Sequence, residues 1–172
     1  MPFLHGIPIS IKDFYDQKGV ITRAGTAIRN KKAKYDAACV VPLLKAGAIP
    51  IVRGNVPQAG VSIHAENPVF GCATNPYDSE RSCGGSSGGD AGLVASRCVP
   101  IAIGTDVGGS VRIPATFTGT VGFKPTSNRI SHKGYKTGST SDFDYYVGHY
   151  RPAIGPMAKS VRDCVEFFKI QC

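Results

Sequence analysis

The sequence predicts an α/β body built on a largely buried sheet, on three observations. Residues 7–14 alternate isoleucine with polar residues, residues 99–104 are a continuous apolar run, and helix-like segments alternate with strand-like ones along the chain. Such alternation marks a sheet covered by helices, and an unbroken apolar run fits a strand buried on both faces. The chain has 172 residues, 42% of them hydrophobic and 19% charged. That is enough for one domain with a real core, since about 150 residues bury roughly 70% of their extended surface. No repeat or linker divides it.

Within residues 7–14, Ile7, Ile9 and Ile11 fall on one face and Lys12 on the other, the period of a strand. Residues 15–35 are polar and basic, with Gly19 and Gly25, and read as loop. Asp36 is the expected N-cap of a helix over 37–46, with Gly47 as its stop and Pro42 arguing against a straight helix. Residues 49–53 follow as a short buried strand. Residues 54–84 contain Asn55-Val56-Pro57-Gln58, Asn67-Pro68 and Asn75-Pro76 and lack clear periodicity. A stretch of that length is usually functional or ordered by other parts of a larger body. Gly89 and Asp90 open a helix to about Arg97, with Asp90 suited to its positive N-terminus. The run 99–104 is a strand, 110–116 begins a helix, 120–123 is a further strand and 161–170 is an amphipathic helix. Residues 127–150 turn polar and aromatic.

The formal net charge is +8, part of it in Lys31-Lys32-Ala33-Lys34 and in residues 129–136. Most of this charge reads as solvated surface, and an anionic membrane surface is the functional alternative. Nucleic acid is not an expected partner, because no aromatic-and-basic recognition motif accompanies the charge. Cys39, Cys72, Cys83, Cys98, Cys164 and Cys172 include no CxxC pair and have no His-x-His companion, so no metal site is expected. They read as reduced thiols of a cytoplasmic protein, at most peripheral to an intracellular membrane. No apolar run approaches the roughly 18 residues of a membrane-spanning helix.

The chemistry lies in two runs, Gly84-Gly85-Ser86-Ser87-Gly88-Gly89 and Gly104-Thr105-Asp106-Val107-Gly108-Gly109-Ser110. Each frames serine with glycine, the residue that lets backbone turn sharply or approach a reacting group. A serine hydroxyl is a poor nucleophile until a base takes its proton. His5, His64, His132 and His149 lie in no triad motif. A lysine can act instead if burial makes it neutral. Moving its pKa from about 10.4 to about 7 costs about 4–5 kcal/mol, within the range known for buried lysine. Lys12, on a strand among isoleucines, meets that condition, whereas Lys45 and Lys159, expected on helix faces, do not.

These two runs, the extension Val111-Arg112-Ile113-Pro114-Ala115, and Gly122-Phe123-Lys124-Pro125-Thr126 together resemble the core of the amidase signature hydrolases. The resemblance extends from Gly6-Ile7-Pro8 to Gly155-Pro156-Met157, nearly the whole chain. It implies an α/β/α fold on a mixed β-sheet and a Ser-Ser-Lys triad that needs no cofactor. Ser110 matches the nucleophile, Ser86 the bridging serine that follows a cis peptide bond, and Lys12 the base. The two serines stand 24 residues apart, as in the family. The backbone N–H groups of Val107, Gly108, Gly109 and Ser110 are the implied oxyanion hole. Ser87, Asp106 and Arg112 are expected to support the site, Ser87 by hydrogen bonding and the other two by ordering the loop that carries Ser110.

Asn55-Val56-Pro57-Gln58, Asn67-Pro68-Val69-Phe70-Gly71, Asn75-Pro76-Tyr77 and Lys124-Pro125-Thr126 with Asn128-Arg129 look most like the fatty acid amide hydrolase branch. That implies small, lipid-like amide substrates. The tRNA-dependent amidotransferase branch of the same family usually has an acidic residue near the position of Gln58. Residues 137–150 depart from the family pattern and leave one pocket wall undefined. Members of this family are several hundred residues long. The resemblance therefore implies a partial domain over 1–172, lacking N-terminal helices and a C-terminal half, and paired as a homodimer or with a complementary chain if it functions. An inactive fragment is the competing expectation.

Overall fold

The computed structural model describes residues 1–136 and 152–172. Strand β1 (Pro8–Lys12) leads through a long loop to the short helix α1 (Val41–Lys45) and strand β2 (Ile49–Gly54). The next segment holds a 3₁₀ turn (Gln58–Gly60) and strands β3 (Glu66–Asn67), β4 (Gly71–Cys72), β5 (Thr74–Asn75) and β6 (Asp78–Ser82). Helix α2 (Gly88–Ala95), strand β7 (Ile101–Asp106), helix α3 (Arg112–Thr118), strands β8 (Val121–Gly122) and β9 (Ala153–Ala158) and helix α4 (Val161–Gln171) complete the described chain.

The main sheet has the order β2-β1-β7-β9-β8. Strand β1 runs parallel to β2 and β7, whereas β9 runs antiparallel to β7 and β8, so the sheet is mixed as expected. Ile9 and Ile11 of β1 and Ile101 and Ile103 of β7 share one core with Leu43 of α1, the preceding Val40, and Cys164 and Phe167 of α4. On the opposite face Ala102 and Met157 pack against Ala91 and Val94 of α2 and against Val111 and Ala115 at α3. Helices thus cover both faces. All six residues of β7 are buried, as a strand covered on both faces requires, but it lies two residues later than the apolar run 99–104 and ends on the polar Thr105 and Asp106.

Helix α4 forms because Cys164, Phe167 and Gln171 recur on one face, and because Ser160 caps it. The Ser160 Oγ accepts from the Asp163 N–H at 3.1 Å and donates to the Asp163 carboxylate at 2.6 Å, a reciprocal capping arrangement. Phe167→Ala would open a cavity between α4 and the sheet. We expect it to destabilise the fold by about 3–5 kcal/mol, read as a lowered urea midpoint with an unchanged slope.

Several expectations need correction. The helix expected over 37–46 is reduced to Val41–Lys45, preceded by a turn, and Asp36 does not cap it but accepts from the Lys18 N–H at 2.8 Å. Pro42 is the reason. It has no N–H to give and crowds the preceding turn, so it is accommodated only in the first turn of a helix. Gly47 does stop the chain's helical path, at φ +90°, where a Cβ would press on the backbone of His5. Helix α2 starts two residues before Asp90 and ends before Arg97. Lys159 lies between β9 and α4 and not on a helix. The strand expected at 49–53 forms, but it is not buried: β2 is an edge strand, and Ile49 and Ile51 are exposed.

Residues 54–84 are ordered by local asparagine turns and by bonds to distant segments, with Asn75 Nδ2 donating to the Phe117 carbonyl at 2.8 Å and the Ala59 N–H to the Ala24 carbonyl at 2.9 Å. Asn67 accepts from the N–H groups of Val69 and Phe70 at 2.9 and 2.8 Å, closing the β3–β4 hairpin, and donates to Asn55 Oδ1 at 2.7 Å. Asn75 accepts from the Tyr77 N–H at 3.1 Å and so turns β5 into β6. Both are asparagine-proline turns in which the side chain imitates a backbone acceptor.

Candidate active site

Parallel strands present their carboxyl ends on one side of a sheet, the side where ligands usually sit. Lys12 ends β1 there, and Thr105 and Asp106 end the neighbouring β7. Lys12 points away from the face of Ile9 and Ile11, as its strand period requires, and it is fully buried. Its Nζ lies 2.7 Å from Ser86 Oγ, 2.8 Å from Thr105 Oγ1 and 3.5 Å from the Thr105 carbonyl, and 4.9 Å from the centre of the Phe14 ring. Burial drives the Lys12 ammonium down to about 7, against the opposing pull of Asp90 and Asp106. An amine in that range is neutral for part of the time at physiological pH.

Ser86 follows a cis peptide bond from Gly85, as the resemblance implied. It is buried and leads directly into α2. Ser87 is fully buried and ties the two runs together. Its N–H donates to the Ser110 carbonyl at 3.0 Å, and its hydroxyl lies 3.4 Å from both the N–H and the carbonyl of Thr105. A Cβ on Gly104 would strike the Ser87 hydroxyl, so the glycine at that point makes the approach possible.

Ser110 is half-buried, at the outer end of the group. Its loop is held by Asp106, whose side chain is fully buried. Asp106 Oδ1 accepts from the Gly109 N–H at 2.8 Å, while Oδ2 accepts from the N–H groups of Val111 and Arg112 at 3.1 and 3.3 Å. The Arg112 guanidinium adds two bonds of 2.9 Å. Burial alone would raise the Asp106 carboxyl. The Arg112 bonds and the three backbone donors outweigh it and hold the group below its ordinary value.

The structure thus joins Lys12, Ser86, Ser87, Asp106, Arg112 and the Ser110 loop, with one expected contact open and one expected donor engaged. The Ser110 hydroxyl makes no hydrogen bond to Ser86 or to any other described residue. The Gly109 N–H is engaged by Asp106, so it is not free to serve an oxyanion. The N–H groups of Val107, Gly108 and Ser110 have no partner among the described residues. Of the histidines, His132 is buried with its Nε2 2.6 Å from the Pro152 carbonyl, and His5 and His64 are exposed. His149, with the undefined wall at 137–150, lies outside the described residues.

Sequence reasoning missed Thr105, Ser10 and Asp90. Thr105 gives Lys12 a second hydroxyl partner beside Ser86. Ser10 donates to the buried Asp90 at 2.6 Å, beneath the lysine. A signal existed for Ser10: it stands two residues before Lys12, on the same face of a strand whose other face is isoleucine.

Comparison with known proteins places the chain in a family. The Amidase family profile matches residues 1–172. The chain is 45% identical to fatty acid amide hydrolase 1 of Caenorhabditis elegans, over 98% of this chain and 29% of that protein. It is 43% identical to a glutamyl-tRNA(Gln) amidotransferase component of Coxiella burnetii, over 93% of this chain and 32% of that protein. A crystal structure of an amidase superposes with a TM-score of 0.85 at 39% identity, over 98% of this chain and 37% of that one. The chain therefore spans about a third of the length of these relatives. With the profile running its whole length over an α/β/α fold of the same kind, this chain belongs to the amidase family.

Proposed function

We propose that this chain carries the acyl-transfer centre of a serine amidase, with Ser110 as nucleophile, Ser86 as relay and Lys12 as base. The observation that carries this reading is the 2.7 Å contact between Ser86 Oγ and a fully buried Lys12 amine whose burial favours its neutral form. In the neutral form two N–H groups serve Thr105 and the lone pair faces Ser86. Ser110 Oγ attacks the amide carbonyl as its proton passes to Ser86 and the Ser86 proton passes to Lys12. The relay then runs backwards: the leaving nitrogen takes a proton from Ser86 as Ser86 regains one from Lys12, and the C–N bond breaks to leave an ester on Ser110. Water, deprotonated through the same relay, cleaves that ester and restores the serine. The open link between Ser110 and Ser86 is of the kind that tightens when substrate binds. Val107, Gly108 and Ser110 supply the N–H groups for the oxyanion, each worth about 2.7–4 kcal/mol of barrier lowering in comparable sites.

Lipid-like amides are the proposed substrate class. Asn55-Val56-Pro57-Gln58 and the identity to the nematode fatty acid amide hydrolase support it. The net charge of +8 suits contact with an anionic membrane surface from the cytoplasmic side. No helix among the described residues is long and apolar enough to cross a membrane. The Coxiella relative favours a second reading, the amide-cleaving component of an amidotransferase, which the neutral Gln58 opposes. In either case the half-exposed Ile49 and Ile51 on edge strand β2 support association with a second copy or a complementary chain.

Ammonia release from a long-chain fatty acid primary amide, from acetamide and from glutamine tests this directly. The reading expects turnover of the long-chain amide at least tenfold above acetamide, abolished by Ser110→Ala. Turnover of glutamine alone would replace it with the amidotransferase reading. Folded protein that turns over none of the three would contradict activity in this chain.

A further inference from the structure

Asp90 is a buried ionisable group beside Lys12 that the mechanism does not use. Asp90 is fully buried in the first turn of α2, and its Oδ1 accepts from Ser10 Oγ at 2.6 Å. Its other oxygen, Oδ2, is buried with no hydrogen-bond partner among the described residues. Ser10 and Lys12 project from the same face of β1, two residues apart. Gly54, over whose Cα the Asp90 carboxyl lies so closely that a Cβ there would collide with it, is the direct partner of Lys12 on β2. The carboxyl therefore sits in the floor beneath the lysine, in space that a larger residue at 54 would fill. A buried carboxylate oxygen without a donor is costly, of order 1–3 kcal/mol or more for a charged group. Helix N-termini favour an acid, but they do not require one to be buried with half its valence unmet.

We propose that Asp90 is a positioning residue for Lys12: its carboxylate, held by Ser10 over Gly54, sets the pH at which the lysine releases its proton. This rests on the reading of Lys12 as the base. Burial pushes the lysine down and the Asp90 carboxyl up, so the two titrate as a pair. Each raises the stability of the other's charged form. The other charged or titratable groups facing the pair are Asp13 and Tyr15 after β1, Arg53 on β2 and Asp106 at the end of β7. Arg53 is already engaged by Asp13 at 2.8 Å, and Asp106 by Arg112 at 2.9 Å. Of these carboxylates, Asp90 is the one with a buried oxygen that has no partner among the described residues. Without it, burial would leave Lys12 neutral at still lower pH but a weaker base. A general base works best when its pKa lies near the working pH.

The test uses the full chain with ¹³Cε-labelled lysine, titrated by NMR, together with the pH profile of fluorophosphonate labelling. Asp90→Asn keeps the shape and the acceptor for Ser10. It is expected to move the Lys12 midpoint, and with it the acid limb of labelling, to lower pH by about one pH unit. The plateau rate should fall several-fold as the base weakens. A merely structural Asp90 would lower the rate and leave both midpoints in place, and that result overturns the proposal. If Asp90→Asn does not fold, Ser10→Ala should shift the midpoint the same way by less, and no shift there also overturns it. Lys12→Met separates the two readings. An acid limb that survives Lys12→Met removes Lys12 as base, while the NMR midpoint still decides on Asp90.

Discussion

Lys12→Met is expected to slow fluorophosphonate acylation of Ser110 by about 10²–10⁴-fold, the usual contribution of a positioned general base. The fold should survive. Methionine is unbranched and of similar length, and it fills the channel past Phe14 without a charge to desolvate. Its main structural penalty is that Ser86 Oγ and Thr105 Oγ1 lose their common partner, of order 1–3 kcal/mol for a buried group. Relief of the buried amine offsets part of this. Lys12→Arg should lose the same activity for a different reason: a guanidinium does not give up its proton, so it can never accept one. A pair of variants that agree in rate and differ in charge separates loss of the base from loss of packing.

The second large effect is on stability. Asp106→Asn keeps the volume but removes the negative charge around which the Ser110 loop is wound. The carboxylate accepts three backbone N–H groups and two guanidinium bonds. An amide has one acceptor oxygen, and its NH₂ would face N–H donors. We expect a loss of about 3–5 kcal/mol, the scale for breaking a buried charge interaction on one side, measured as the shift in urea midpoint. The sign of the pH dependence follows. The Asp106 carboxyl is held below its ordinary value in the fold. Its contribution is therefore present above the unfolded pKa of about 3.9 and is lost as pH falls through the folded value. Asp106→Asn should remove that part of the acid sensitivity. The same variant should slow labelling of Ser110, because Val107, Gly108 and Ser110 lose the frame that aims their N–H groups.

The strands that carry the site were legible because their patterns are local. The two-residue period of 7–14 places Lys12 opposite the isoleucines, and the apolar run 99–104 requires burial on both faces. Strand β9 was not legible. Ala153-Ile154-Gly155-Pro156-Met157-Ala158 has neither alternation nor β-branched enrichment, and a proline within a run argues against a central strand. It is a strand because β7 and β8 pair with it from both sides, with Pro156 opposite Ile103. Strand β6 is polar throughout and exists as half of a hairpin closed by Asn75. In the site, Lys12, Ser86 and Ser110 could be picked out because each stands in a motif of its own. Thr105 and Asp90 act on Lys12 only through contacts that span 93 residues to the lysine and 80 to Ser10. No local pattern encodes such distances. The engagement of the Gly109 N–H was hidden for a similar reason: the loop's glycines signal that donors can turn inward, not which acceptor they meet.

Mapping the fluorophosphonate adduct by peptide mass spectrometry tests the Ser110-Ser86-Lys12 assignment most directly. The account predicts a single adduct on Ser110, absent in Ser110→Ala and slowed by about 10²-fold or more in both Lys12→Met and Ser86→Ala. An adduct on Ser86 or Ser87, or labelling of Ser110 at an undiminished rate without Lys12, would contradict it.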